Sequence, residues 1–216
     1  MIRVSLAALP ILLATACGPA EEAAAPIVEP AVVAVEAQAE AGPWTVDGET
    51  SRVSFVSVKA SEIAEVHYFS GLSGEVSDSG AARIAIDLNS VETAILIRND
   101  RMREILFETE TFPEAVVSAD LDLTDFDSLA IGDRSQFELS ATISLHGQDA
   151  DITPDVYVTR ASDDRVVVET VDPIIVYAYD FGLESGLAQL QELANLPSIA
   201  PAVPVTFSIA LKRTAP

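Results

Sequence analysis

The amino-acid sequence predicts an all-β fold, either a sandwich or a closed barrel, with two short helices. Three observations support this prediction. Several stretches after residue 43 alternate apolar and polar residues with a period of two, as half-buried strands do. Turn-forming residues separate these stretches, and their short spacing favours antiparallel pairing. Only two segments have a helical pattern.

Four stretches show the alternation most clearly. Their apolar positions are Ile84, Ile86 and Leu88; Val117, Ala119, Leu121 and Leu123; Phe137, Leu139, Ala141, Ile143 and Leu145; and Val203, Val205, Phe207, Ile209 and Leu211. Further strands are predicted around Val53 and Phe55, over residues 166–171 and over residues 174–179. Turns are predicted at residues 78–80, 131–133, 146–149 and 162–164.

The two helical segments are short. Asn99 or Asp100 is predicted to cap the first, and Ser185 is predicted to cap the second, which ends before Pro197. The predicted inward side consists of Met102, Ile105 and Leu106 in the first helix, and of Leu187, Leu190, Leu193 and Ala194 in the second.

Residues 1–16 read as a signal peptide that directs export. Arg3 supplies the positive charge, and the apolar run that follows is shorter than the roughly 20 residues of a membrane-spanning helix. The run ends in Leu13-Ala14-Thr15-Ala16-Cys17, which resembles a bacterial lipobox and predicts acylation of Cys17. The alternative is an ordinary signal peptide cleaved near Ala16, with an incidental cysteine.

The chain after Cys17 divides into two parts. Residues 17–42, rich in Ala, Pro and Glu, predict a disordered tether that follows the lipidated cysteine. Residues 43–216 predict the folded domain. Two or more acyl chains give stable membrane attachment, so the prediction is a periplasm-facing lipoprotein of the bacterial cell envelope. Gly18 is not an acidic retention signal, and this favours the outer membrane.

Charge and residue types exclude several functions. The formal net charge of -22 repels phosphate, so nucleic acid is not a predicted partner. The sequence contains no Gly-rich phosphate loop, nucleophile elbow or zinc-protease motif, and its only histidines are His67 and His146. No catalytic residue, metal site or cofactor is therefore predicted, and the protein is expected not to be an enzyme.

Basic residues are scarce but concentrated in one segment. Arg98, Arg101 and Arg103 lie there together with Asp100 and Glu104. One interpretation is local ion pairing on a short helix. The other is a polar lip, formed by Arg98, Asp100 and Arg101, that contacts the headgroup of a ligand beside an apolar pocket.

A series of short motifs resembles the YceI-like family, in the family's order. They are Trp44-Thr45-Val46-Asp47, Ser51-Arg52-Val53-Ser54-Phe55, Phe69-Ser70-Gly71-Leu72-Ser73-Gly74-Glu75-Val76, Ser90-Val91-Glu92-Thr93, Arg98-Asn99-Asp100-Arg101-Met102-Arg103, Leu106-Phe107, Phe112-Pro113-Glu114-Ala115, Leu145-His146-Gly147 and Asp180-Phe181-Gly182-Leu183. The resemblance covers about residues 44 to 213. This chain has Asn99 where family members often have Asp, which weakens a headgroup role for that segment.

The resemblance implies an extended, lipocalin-like antiparallel barrel of about eight strands, with one or two short helices and an apolar tunnel. It also implies export and binding of a polyprenyl lipid or an isoprenoid quinone, for storage or transport. The predicted tunnel lining is Phe55, Phe69, Ile86, Leu88, Met102, Leu106, Phe107, Phe112, Phe137, Ile143, Leu145 and Phe207.

Two other functions compete with lipid binding. One is a structural or stress-response envelope protein whose barrel is filled by its own side chains; the size of any pocket separates this from a ligand tunnel. The other is an enzyme acting on a lipid or quinone through His67 or His146. The predicted partners are the apolar ligand and, through the lipid anchor, the membrane; a homodimer is left open.

Overall fold

The structure, a computed structural model, describes residues 43–213, without the side chains of residues 125 and 127. The predictions for the signal peptide, for Cys17 and for the tether lie outside the described residues.

Fourteen strand segments form a single antiparallel sheet. They are β1 (Trp44–Val46), β2 (Arg52–Lys59), β3 (Ile63–Phe69), β4 (Leu72–Val76), β5 (Ala81–Asp87), β6 (Val91–Glu92), β7 (Glu114–Asp120), β8 (Arg134–Glu138), β9 (Ala141–Leu145), β10 (Gln148–Ile152), β11 (Asp155–Ser162), β12 (Arg165–Thr170), β13 (Ile174–Tyr177) and β14 (Ala202–Arg213).

Three helices interrupt the strands. They are α1 (Leu96–Arg101), α2 (Thr124–Asp127) and α3 (Glu184–Leu193). A π-helix, Met102–Leu106, continues α1, and 3-10 turns cover Leu88–Ser90 and Ala178–Phe181. The sequence predicted α3 and the segment that contains α1, but not the single turn α2.

One long hairpin shows how the sheet closes. Leu145 of β9 lies opposite Gln148 of β10, and Arg134 of β8 lies opposite Thr159 of β11. Between these pairs, the backbone N–H of Leu139 donates to the carbonyl of Pro154 at 2.9 Å. The same pairing register runs from β8–β11 to β9–β10. β8 and β9 are therefore one bent strand, and β10 and β11 together form the long strand that pairs with it.

The same grouping gives eight long strands. β1 and β2 both pair with β14, and so do β12 and β13, so each of these pairs of segments is one long strand. β3 and β4 pair with β2 and β1, and β6 and β5 pair with β3 and β4, so these segments also form two long strands. Each long strand pairs with the next in sequence, and β14 also pairs with β1 and β2. The result is a closed up-and-down barrel. This confirms the predicted eight-stranded antiparallel fold and excludes the sandwich.

The two ends of the barrel differ. At one end, here called the terminal end, Trp44 of β1 lies opposite Arg213 of β14, so the described chain begins and ends there. At the other end, here called the helical end, Tyr177 lies opposite Ala202 and Lys59 forms an isolated bridge with Ile199.

α3 packs closely against the π-helix at the helical end. A Cβ atom at Gly186 would lie 2.6 Å from the carbonyl oxygen of Ile105, so only glycine permits this approach of the two backbones. The helices are thereby held together as a cap over this end of the barrel.

The helix caps differ from the prediction. α1 begins at Leu96, so Asn99 and Asp100 lie inside it rather than at its start. The side chain of Asn99 is buried and bonds back to Thr93, accepting from its backbone N–H and its hydroxyl. Ser185 likewise lies within α3, which begins at Glu184.

The end of α3 also differs. Leu187 and Leu190 pack against the core, as predicted, but Leu193 is 50% exposed and Ala194 is exposed. Asn195 adopts a φ of 50°, which turns the chain away immediately after the helix. The last turn therefore lies beyond the apolar surface that Leu187 and Leu190 cover.

Candidate ligand cavity

An apolar cavity of about 360 Å³ lies inside the barrel. Its wall is built from the predicted alternating faces, because every second side chain of a strand points to the same side. The residues of those faces that line it are Ile84, Ile86, Leu88, Val117, Ala119, Leu121, Leu123, Leu139, Ile143, Leu145, Val203, Val205, Phe207, Ile209 and Leu211. The cavity is therefore a direct product of the period-two pattern.

The helical cap supplies the wall at one end. Met102 and Leu106 of the π-helix line the cavity, together with Phe107 just after it. Leu187 of α3 lines it as well. At the opposite end the lining reaches Trp44 and Arg213, so the cavity extends along the barrel from the helical end to the terminal end.

Ten of the twelve predicted lining residues lie on the cavity wall. They are Phe55, Phe69, Ile86, Leu88, Met102, Leu106, Phe107, Ile143, Leu145 and Phe207. Contact of these side chains with a ligand stays a prediction.

Two predicted lining residues are not on the wall. The ring of Phe112 packs on His146, with 4.5 Å between ring centroids, at the outer corner formed by the β9–β10 turn. The ring of Phe137 packs on Phe126 of α2 at 4.9 Å, and Phe126 itself lines the cavity. The unpredicted helix α2 thus supplies the aromatic ring that was expected from Phe137.

The predicted headgroup residues also lie off the cavity wall. Arg98 donates to the Glu65 carboxylate at 2.9 Å and to the Thr93 carbonyl. Asp100 is exposed and pairs with Arg103 at 2.9 Å. The side chain of Arg101 makes no hydrogen bond or ion pair with another described residue. The Asp100–Arg103 pair agrees with local ion pairing on a short helix, whereas Arg98 is bound to a distant strand.

Instead, three charged residues line the cavity near its terminal end: Arg160, Asp163 and Arg213. Arg160 donates to the Leu129 carbonyl at 3.0 Å and lies 3.6 Å from the Asp163 carboxylate. The guanidinium of Arg213 lies 4.7 Å from the centroid of the Trp44 ring. Its Nε is buried and has no hydrogen-bond partner among the described residues.

The sequence carried a signal for these residues that was not used. Arg160 continues the period-two series of Val156 and Val158, and Arg213 continues that of Ile209 and Leu211. Because every second side chain of a strand points to the same side, both arginines are expected to face inward at the end of their apolar series.

His67 is buried beside the cavity but does not line it. Its Nε2 lies 2.8 Å from the Ser57 hydroxyl, and its ring centroid is 5.1 Å from that of Phe55. Nδ1 is buried and has no partner among the described residues. Burial lowers the pKa of His67, and the charge of Arg98 lowers it further.

The lowered pKa of His67 predicts pH-dependent stability. The unfolded chain binds a proton near the ordinary pKa of 6.5, whereas the folded chain resists protonation. The contribution of uncharged His67 to the unfolding free energy is therefore complete above pH 6.5 and is lost as the pH falls below this value. We expect His67→Gln to flatten the decrease in unfolding free energy between about pH 7 and pH 5, as measured by urea denaturation. If the unfolding free energy decreases with falling pH as steeply in His67→Gln as in the parent chain, this expectation is contradicted.

His146 has a different environment. His146 lies in the turn between β9 and β10, and its Nε2 is 2.8 Å from the carboxylate of Glu108. His146 and Gly147 both have positive φ, 52° and 75°, as a two-residue hairpin of this type requires. Among the described residues, no cluster of three or more His, Cys, Asp or Glu side chains could hold a metal ion.

Within residues 43–213, none of the helices combines the length and the hydropathy needed to span a bilayer.

Comparison with known proteins gives the family. The model of the YceI-like domain matches residues 44–211. Among solved structures, the chain is similar to a polyisoprenoid binding domain from Saccharophagus degradans implicated in plant cell wall breakdown, with 39% identity and a TM-score of 0.78. That match covers 81% of this chain and 99% of the other.

A more distant similarity supports the fold. BcnA from Burkholderia cenocepacia matches with 19% identity and a TM-score of 0.58, over 76% of this chain and 98% of the other. No curated protein matches the chain. The YceI-like model covers nearly all of the described barrel, and the eight-stranded architecture agrees with it; this chain belongs to the YceI-like domain family.

Proposed function

We propose that this protein binds the apolar chain of an isoprenoid-type lipid, a polyprenyl lipid or a quinone, inside the barrel, and stores or transports it without catalysing a reaction. The observation that carries the proposal is the cavity of about 360 Å³, whose wall is apolar except for three charged residues near one end. This volume lies within the range of small-molecule sites. Burial of a lipid tail would contribute about 2.5 kcal/mol for each 100 Å² removed from water.

Two further observations support a lipid ligand. The solved domain with 39% identity to this chain is described as a polyisoprenoid binding domain. The cavity also favours ligand binding over the alternative of a structural barrel filled by its own side chains, since such a barrel would leave no space of this size.

The charged residues suggest the orientation of the ligand. Nε of Arg213 is a buried donor without a partner in residues 43–213, so a quinone carbonyl or a prenol oxygen could accept its hydrogen bond. The tail would then extend toward Met102 and Leu106 at the helical end. In this arrangement the polar group of the ligand lies near Trp44.

The direct test is identification of lipid that co-purifies with the full chain. Native mass spectrometry of detergent-free protein should show a mass added to the polypeptide, and organic extraction should release an isoprenoid lipid. A barrel that carries no lipid, and that takes up neither a polyprenol nor a quinone on incubation, would favour the structural alternative.

The proposal places the protein in the cell envelope, anchored through Cys17 to the outer membrane and facing the periplasm. We expect Cys17→Ala to abolish the incorporation of labelled fatty acid and to lower the share of the protein in the membrane fraction, because acyl chains contribute about 0.8 kcal/mol per buried CH₂. Fractionation and incorporation of labelled fatty acid measure this. Ser5→Ala, in the predicted signal peptide, is the control, and labelled fatty acid that is still incorporated into Cys17→Ala would contradict the anchor.

A further inference from the structure

Three consecutive large apolar residues are exposed at the helical end. Ile95, Leu96 and Ile97, here called the apolar tip, are 45%, 78% and 58% exposed at the start of α1. Exposed runs of this kind carry a cost in solubility, and in soluble proteins they mark sites of interaction.

The apolar tip is held in place by an ion-pair cluster. The Glu65 carboxylate on β3 accepts from Arg98 of α1 at 2.9 Å and from Lys59 of β2 at 2.6 Å. The first turn of α1 is therefore fixed against the β2–β3 hairpin. Ile63, which is also exposed and lies two residues from Glu65 on β3, extends the apolar surface.

The helical segment that carries the apolar tip is less acidic than the chain as a whole. The segment of α1 and the π-helix carries Arg98, Arg101 and Arg103 against Asp100 and Glu104, whereas the chain has 34 acidic and 12 basic residues. Arg101 has no ion-pair partner among the described residues. Arg98 and Arg103 are held in ion pairs with acidic residues, which leaves the guanidinium of Arg101. An apolar protrusion followed on α1 by this guanidinium suits the acyl region and the phosphates of a phospholipid bilayer.

The same segment connects the apolar tip with the cavity. Met102 and Leu106 of the π-helix, which follows α1 directly, are part of the cavity wall. Two exposed tyrosines, Tyr177 and Tyr179, stack at 5.0 Å at the same end, and tyrosine is enriched where proteins meet the bilayer interface.

The predicted anchor permits this end to reach a membrane. The described chain begins at the terminal end, on the far side of the barrel, and β14 with 12 residues spans about 40 Å. The residues between Cys17 and Trp44 can extend to at most about 90 Å. The chain is therefore long enough for the helical end to contact the membrane that holds the anchor.

We propose that the apolar tip docks the helical end of the barrel on a phospholipid bilayer, so that an apolar ligand passes between the bilayer and the cavity beside the π-helix. The ligand route rests on the proposed lipid-binding function; docking itself does not.

The test uses the full chain with Cys17→Ser, so that no acyl anchor contributes, and phosphatidylcholine vesicles, which do not repel the acidic protein. Leu96→Asp is compared with Ile131→Asp, a matched substitution of another exposed apolar residue. Ile131 lies at the terminal end, because the backbone N–H of the next residue, Gly132, donates to the carbonyl of Arg160. We expect Leu96→Asp to lower the vesicle partition coefficient about tenfold in flotation, and Ile131→Asp to leave it within about twofold.

A second measurement locates the contact. In the Cys17→Ser chain, an environment-sensitive dye attached to Leu96→Cys should shift to the blue when vesicles are added, and the same dye attached to Ile131→Cys should not. Equal flotation of all the chains, an equal dye response at both sites, or no flotation of the parent chain would each overturn docking.

Two controls separate the alternatives. Light scattering that shows a dimer abolished by Leu96→Asp, without vesicle binding, would assign the apolar tip to a second copy of the chain and overturn docking. Extraction of bound lipid tests the cavity independently. If Leu96→Asp protein retains its lipid but no longer floats, the result supports both docking and the proposed function. If the parent chain floats but never carries lipid, the result supports docking and contradicts lipid binding.

Discussion

Ala82→Phe should remove most of the lipid that co-purifies with this protein. Ala82 on β5 lies opposite Ala119 on β7, and both side chains line the cavity, so this small pair leaves part of the free volume. A phenylalanine ring would occupy that space instead of the ligand. If it displaces about 100 Å² of tail contact, the affinity should fall on the order of 50-fold, since the lost burial contributes about 2.5 kcal/mol.

The neighbouring residue provides a matched control. Ala81 lies on the same strand with its side chain exposed, so Ala81→Phe adds the same ring outside the barrel. Lipid content per protein, measured by native mass spectrometry and extraction, should be unchanged in Ala81→Phe. The melting temperature should be similar in both variants, because the ring in Ala82→Phe enters space that is already open. Full lipid occupancy in Ala82→Phe would contradict the cavity as the binding site.

Asn99→Ala should be strongly destabilising. Asn99 is 1% exposed, and its Oδ1 accepts from the backbone N–H and the hydroxyl of Thr93, at 2.9 and 2.5 Å. Its Nδ2 donates to Glu92 at 3.3 Å. The substitution leaves the buried N–H of Thr93 without a partner and its hydroxyl with only the Ile95 carbonyl at 3.4 Å, which costs about 2–4 kcal/mol. We expect the melting temperature to fall by roughly 5–12 °C.

The adjacent residue is again the control. Asp100 is exposed and makes only an ion pair with Arg103 one turn away, so Asp100→Ala should change the unfolding free energy by less than about 1 kcal/mol. Urea and thermal unfolding followed by circular dichroism measure both variants. If Asn99→Ala is no less stable than Asp100→Ala, the Asn99 side chain does not hold the turn before α1.

The contrast between these two neighbours shows why the caps of α1 were wrongly predicted. Asn and Asp are both common helix caps, and the sequence does not distinguish a capping residue from one that bonds backward to a buried turn. The distinction depends on Ala94, which adopts a φ of 61° and reverses the chain so that Thr93 faces Asn99. The helix therefore starts four or five residues earlier than the predicted cap, Asn99 or Asp100, would place it.

The arginines illustrate a second limit. The sequence left open whether Arg98 pairs locally or contacts a headgroup. Its partner Glu65 lies 33 residues away on β3, and only the barrel brings the two together. Arg213 and Trp44 are near opposite ends of the described chain and meet because β14 pairs with β1. Contacts between residues so far apart depend on strand registers, which the local pattern does not contain.

The sequence by itself determined the class of the fold, the turns and the inward side of the four stretches that alternate most clearly. Alternation along a strand is a local property, so the faces of Ile84, Val117 and Val205 could be predicted without knowledge of their neighbours. The ordered motifs also determined the family, which the match over residues 44–211 confirms.

Only the tertiary structure decided how these faces combine. The constant register of the long hairpin closes the barrel, and the approach of Gly186 to Ile105 places the helical cap. The empty volume is likewise a tertiary property: it arises where small residues such as Ala82 and Ala119 lie side by side on the wall of a barrel too wide for them to fill.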